Sequence, residues 1–133
     1  MNYVIDSSAL IAVLWNEQGG IFVSDIIDKR DNSCFIHVVN LCEVYYDLIR
    51  RTGKKEADET IEGLSSILSV RDDIDKDFWK QVGEYKGELK RISLADCFCI
   101  VLAKRLNSVI VTADHHEFDT IYDRGMVSVK FIR

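Results

Sequence analysis

Residues 94–103, "LADCFCIVLA", are apolar on almost every side of a helical wheel and carry one charge, Asp96. A helix with no polar face must be covered all round, so it belongs inside the fold. It leads directly into "SVIVTAD" (108–114), a β-branched run that ends in an acid, Asp114. "YVID" (3–6) repeats that pattern at the start of the chain and ends in Asp6. Apolar β-branched runs alternating with helical patterns require a parallel sheet covered on both faces.

The remaining segments fit this α/β reading. "CFIHVV" (34–39) and "VSVKFI" (127–132) are strand-like, and "ILSV" (67–70) is a weaker strand. Helical spacing marks "SSALIAVLW", "IFVSDIIDKR", "NLCEVYYDLIRR" and "KKEADETIEGLSSI", the last two separated by Thr52 and Gly53. "DKDFWKQVGEYKGELKR" is amphipathic and precedes the apolar helix. At 133 residues with 29% charged residues, the chain has the size and balance of one globular domain. No apolar run approaches the roughly 20 residues of a membrane span. "MNYVIDSSAL" lacks the basic start of a signal peptide. Cys34, Cys42, Cys97 and Cys99 show no CxxC spacing and read as reduced thiols of a cytoplasmic protein.

An open parallel sheet binds its ligands outside the carboxyl ends of the strands, and four acids could meet at that edge, although Asp96 follows no clear strand. Asp6 and Asp114 follow strands. Glu43 lies in the helix that follows "CFIHVV", and Asp96 lies at the start of the apolar helix. Asn40-x-x-Glu43 and Ser93-x-x-Asp96 also have capping-box spacing, and Asp114 could cap "HHEFDTIYD". Glu43, Asp96 and Asp114 are each explained alone by a helix end, whereas Asp6 ends an apolar strand and is harder to explain that way. The joint placement of all four is not explained by helix ends. Clustered carboxylates repel and take up protons unless a cation neutralises them, and all-oxygen donor sets suit Mg²⁺ or Mn²⁺. A net charge of −5 does not advertise nucleic-acid binding, but acids gathered around a metal ion would mask such a role.

At these residues the sequence resembles the PIN-domain family, most closely VapC-type toxins of toxin–antitoxin pairs. "YVIDSSALIAVL", "NLCEVYYDL" and "ISLADCFCIVLAKRLNSVIVTAD" carry the resemblance, which spans nearly the whole chain. It implies a PIN-like three-layer α/β/α sandwich with a central parallel sheet of four to five strands, as one domain over 1–133. It also implies a Mg²⁺- or Mn²⁺-dependent endoribonuclease that hydrolyses phosphodiesters, with an RNA substrate, a small antitoxin partner and a homodimer, and no membrane. By the same resemblance Asp6, Glu43, Asp96 and Asp114 are the catalytic metal-binding acids. Ser8 and Thr112 are hydroxyls that orient them, and Asp119 is an additional acid.

Among the basic residues, Arg50 and Arg51, and Lys90 and Arg91, are candidate RNA contacts, as are His115 and His116. Adjacent histidines on a helix diverge by about 100°, which argues against one shared ion. His37 reads as a hydrogen-bonded structural histidine. Trp15 and Phe22 are candidates for the dimer and antitoxin surfaces that the resemblance implies. Two rivals are a phosphoacceptor receiver module and a catalytically inactive PIN-like RNA-binding protein. The receiver lacks support here: the first strand has no paired acids and no Lys-Pro follows the last. GxGxxG and GxxxxGK[ST] phosphate loops are absent.

Overall fold

Period-two alternation along the two innermost strands explains the architecture. In the computed structural model, which describes residues 1–133, β1 (Asn2–Ile5) sends Tyr3 and Ile5 to one face and Val4 to the other. β4 (Val109–Thr112) does the same with Val111 and Ile110. Both faces are therefore apolar, and both are covered. β2 (Ser33–His37), β3 (Ser69–Arg71) and β5 (Val129–Phe131) complete a five-stranded, all-parallel sheet in the order β3-β2-β1-β4-β5.

Helices α1 (Ser7–Leu14), α2 (Gly20–Asp28), α3 (Val38–Thr52) and α4 (Lys54–Ile67) supply the core on one face. Helices α5 (Lys76–Glu88), α6 (Leu94–Arg105) and α7 (His115–Asp123) supply it on the other. The result is the α/β/α sandwich expected. Every residue of α6 from Asp96 to Ala103 is buried, so this helix is a fixed mount. At about 1.5–3 kcal/mol per large side chain, its apolar residues contribute much of that layer's stability.

The chain passes from β1 outward to β2 and β3, then returns to the other side of β1 for β4 and β5. The carboxyl ends of β1 and β4 thus flank the point where the winding reverses, which is where such sheets open a crevice. The Asp6 amide donates to the Val111 carbonyl (3.0 Å), so pairing continues up to the first candidate acid.

Boundaries differ from expectation: β3 covers Ser69–Arg71 because Ile67 still belongs to α4, β5 is shortened to Val129–Phe131, and the start of α3 moves. β2 stops at His37 and α3 begins at Val38, two residues before the expected helix start. The His37 ring causes this: its Nδ1 accepts from the Val39 amide (3.1 Å) and caps the helix. Its Nε2 consequently donates to the Asp73 carbonyl (2.9 Å), and the ring packs against Phe78 and Phe98. Burial pulls the His37 pKa down and favours this neutral, capping form. Asn40 is therefore not a cap.

The turn between α1 and α2 depends on Gly19. Its φ is +89°, and an added Cβ would stand 2.5 Å from the Ile132 carbonyl oxygen. Gly19→Ala is expected to cost about 2 kcal/mol or more, from the left-handed backbone and the close approach together. A urea midpoint equal to wild type would contradict this.

Candidate functional site

Asp6 ends β1 and is 1% exposed. Its Oδ2 accepts from Ser8 Oγ (2.6 Å) and Thr112 Oγ1 (2.9 Å). Those two hydroxyl oxygens accept in turn from the Ala113 and Asp114 amides, each at 3.0 Å. Ser8 and Thr112 thus bind the Asp6 carboxylate to the turn that carries Asp114. The other oxygen, Asp6 Oδ1, is buried with no partner. Buried polar atoms are almost always satisfied, so an orphaned carboxylate oxygen marks a place for a cation.

Asp96 lies in the first turn of α6. Its amide donates to Ser93 Oγ (3.1 Å), and Ser93 Oγ donates to Asp96 Oδ2 (2.8 Å). Burial, and then the charges of Asp6, Glu117 and Glu43, push the Asp96 pKa up to about 8, while the Ser93 bond opposes them. Asp6 is raised as well, mainly by burial and also by Glu43. The helix dipole and the Ser93 cap do not offset the crowding. Acids whose ionisation is opposed by burial and by one another's charge are suited to a divalent cation, which reverses the local field.

Glu43 sits one turn into α3, and its Oε1 accepts from Ser7 Oγ (3.1 Å) and from Asn40 Nδ2 (3.3 Å). Asn40 is fully buried, and the same Nδ2 donates to the Ala95 carbonyl (3.1 Å). Both partners are acceptors, which fixes the amide orientation. Asn40 therefore ties Glu43 on α3 to the residue beside Asp96 on α6. Asn40→Asp replaces these donors by an acidic acceptor and is expected to destabilise by about 2–3 kcal/mol at neutral pH. Asn40→Leu should cost less. If denaturant midpoints rank the two variants the other way, the tie does not work as described.

Asp114 caps α7 by accepting from the Glu117 amide (3.1 Å). Carboxylate oxygens of Asp96, Asp114 and Glu117 lie within 4.8 Å of one another. Glu117 Oε2 also accepts from the Ser93 amide (3.1 Å), so it closes the capping box of α6 from a different helix. Sequence reasoning missed Glu117. The signal was present: Asp114-x-x-Glu117 repeats the spacing of Ser93-x-x-Asp96.

The remaining candidates are placed elsewhere. Asp119 Oδ1 pairs with His115 Nδ1 (2.8 Å) on the exposed side of α7. His115 also stacks on Phe131 and meets the Arg133 carbonyl through Nε2 (2.7 Å), so it holds the chain's end. His116 is exposed. Arg50 and Arg51 lie in the last turn of α3, about 10–12 Å along the helix beyond Glu43. Arg51 pairs with Asp47 and covers Trp15, whose Nε1 donates to Asp47, and Arg50 covers Tyr46. Lys90 and Arg91 lie exposed in the α5–α6 loop, immediately before Ile92 and the Ser93 cap of α6.

The oxygen-only donor set, the orphaned Asp6 oxygen and the raised acids fit Mg²⁺ or Mn²⁺. Asp96, Asp114 and Glu117 present oxygens close enough to share such an ion, and Asp6 and Glu43 add their charges to Asp96 from β1 and α3. Buried free thiols play no part: burial raises the Cys97 pKa to about 11 and Cys99 well above the usual range. No helix is long and apolar enough to cross a membrane.

Comparison with known proteins bears on the fold and the family. No curated protein matches the sequence. Among solved structures, VapBC-1 from nontypeable Haemophilus influenzae is 19% identical, covering 99% of this chain and 98% of that one, with a TM-score of 0.76. VapBC2 from Rickettsia felis, bound to a DNA fragment from its promoter, is 19% identical with a TM-score of 0.77, over 98% of each chain. VapC20 from Mycobacterium tuberculosis, a Sarcin-Ricin loop cleaving toxin, is 14% identical with a TM-score of 0.71, over 90% of this chain and 94% of that one. At these identities the likeness is one of fold. The PIN domain family model matches residues 3–123, which contain the five strand-end and helix-start acids, and the chain belongs to the PIN domain family.

Proposed function

We propose that the protein is a Mg²⁺- or Mn²⁺-dependent endoribonuclease, the toxin of a toxin–antitoxin pair. The observation that carries this reading is the buried Asp6 carboxylate, one oxygen held by two hydroxyls and the other without a partner, beside the crowded Asp96. Carboxylates from four parts of the chain converge there. The neighbours add support, since one is a Sarcin-Ricin loop cleaving toxin and another a toxin–antitoxin complex.

When bound, the divalent ion supplies an activated water and stabilises charge on the leaving oxygen of a phosphodiester. The chain's own residues prepare the site. Ser8 and Thr112 hold Asp6 in one orientation, Ser93 holds Asp96, and Asn40 with Ser7 holds Glu43. Because each carboxylate is fixed before binding, little ordering cost remains. No serine or cysteine nucleophile is required. A small antitoxin partner and a homodimer belong to the same proposal, whereas Asp119, paired with His115 on the exposed side of α7, is left out of the metal site.

The test is cleavage of unstructured RNA by purified protein. Cleavage should need Mn²⁺ or Mg²⁺, stop in EDTA, and leave 5′-phosphate ends. Binding of RNA without cleavage in any divalent ion would favour the inactive RNA-binding alternative.

A further inference from the structure

A cleft opens between the α5–α6 loop and the end of α7. It has a volume of about 170 Å³ and is lined on one wall by the α5–α6 loop, including Lys90 and Arg91, and on the other by Thr120 and Arg124. Glu117, Thr120 and Arg124 lie at helical i, i+3 and i+7 spacing, so one stripe of the α7 segment runs from the acid cluster into this cleft. The bond from the Ser93 amide to Glu117 Oε2 stands at the boundary between the two regions. The sign of the charge changes across it.

Cations outnumber acids in the lining of the cleft. Buried Leu89 and Ile92 pin the loop at both ends of the Lys90-Arg91 pair. The loop's own polar contact is through the Lys90 carbonyl, which accepts from Lys86 Nζ (3.3 Å), and leaves the Lys90 and Arg91 side chains uncommitted. One acid, Glu88, faces them, and it approaches Arg124 at only 3.7 Å with both side chains more than half exposed. Such a pair is weak and screened. Three cations and a hydroxyl thus meet one carboxylate, in a chain whose net charge is −5.

We propose that this cleft takes a backbone phosphate of the RNA strand, a few nucleotides from the bond being cleaved. The inference rests on the nuclease reading for the position of that bond. Glu117 and Arg124 are separated by about 10 Å along the helix. A stacked strand advances about 3.4 Å per nucleotide, so the phosphate would lie roughly one to three nucleotides from the metal-facing one. Arg124 supplies a planar donor fork, and Lys90 and Arg91 supply charge from the opposite wall. Contacts of this kind set strand position without reading sequence.

The test is fluorescence anisotropy with a short unstructured RNA in Ca²⁺ buffer, across a salt series. Lys90→Ala/Arg124→Ala is expected to weaken binding about ten-fold and to flatten the salt slope by about 0.7. Lys29→Ala/Arg30→Ala removes the same charge between α2 and β2, at the opposite edge of the sheet, and should bind nearly as wild type. Unchanged affinity in the first variant, equal weakening in both, or no RNA binding by wild type would each overturn the cleft. Cleft-dependent binding by a protein that cleaves nothing in Mn²⁺ would retire the nuclease reading and leave the cleft standing.

Discussion

Asp96→Asn should make the metal-free protein more stable and the enzyme inactive. In the metal-free state Asp96 is crowded by Asp6, Glu117 and Glu43 in a buried position. Asn keeps the size and removes the charge. Ser93 still receives the backbone amide of residue 96, so the cap of α6 survives. Relief of the repulsion should add about 2 kcal/mol near pH 8, or roughly 5–10 °C in Tm. Cleavage of RNA should fall by at least about a thousand-fold, since a ligand worth several kcal/mol of charge stabilisation is lost. Stabilisation by Mn²⁺ should fall with it. Lower stability together with retained activity would show that Asp96 is a structural acid. Opposite signs for stability and activity are the mark of a residue kept for function.

The second large effect is the pH dependence of metal-free stability. Folded Asp96 holds its proton up to about pH 8, whereas an unfolded aspartate releases it near the ordinary value of 3.8. Between these values the folded state binds more protons, so stability decreases as pH rises. The contribution is fully present below about pH 4 and gone above about pH 8. Asp6 is shifted in the same direction and adds to the slope. The loss should be on the order of 3 kcal/mol in urea-derived unfolding free energy between pH 5 and about pH 8. Saturating Mn²⁺ should remove or reverse the trend, because the ion binds the ionised acids and stabilises only the folded state. A flat profile without metal would mean that the carboxylates are not crowded.

Much of this site was legible in residue patterns, for reasons that can be named. Asp6 and Asp114 follow short β-branched runs, and a parallel sheet sends both to one edge. Asp96 was harder to place because it follows no strand. The constraint lies downstream: α6 feeds β4, and a helix feeding a parallel strand must end at that strand's start. Its N-terminus is thereby set at the carboxyl edge. The start of α3 was misjudged because a histidine, not the usual Asn or Ser, caps it. Glu117 was missed because its role depends on α6 and α7 meeting, a tertiary fact with only a local capping echo. Asn40 shows the converse, where a capping motif conceals a buried tie between two helices.

Local rules also explain why the basic candidates separate. Arg50 and Arg51 end α3, where cations suit the helix dipole and find Tyr46, Trp15 and Asp47. Lys90 and Arg91 have no such partners and stand in the α5–α6 loop.

If these acids form a divalent-cation site, the metal-free protein must bind Mn²⁺ through them. The most direct measurement is calorimetric titration of Mn²⁺ into the metal-free protein near pH 8 and near pH 6.5, in buffers of different ionisation enthalpy. Binding should be saturable, and it should release more protons at the lower pH, where Asp96 is still protonated. Asp96→Asn should abolish or strongly weaken it. Absence of binding, or binding equally tight and proton-neutral in wild type and Asp96→Asn, would contradict such a site.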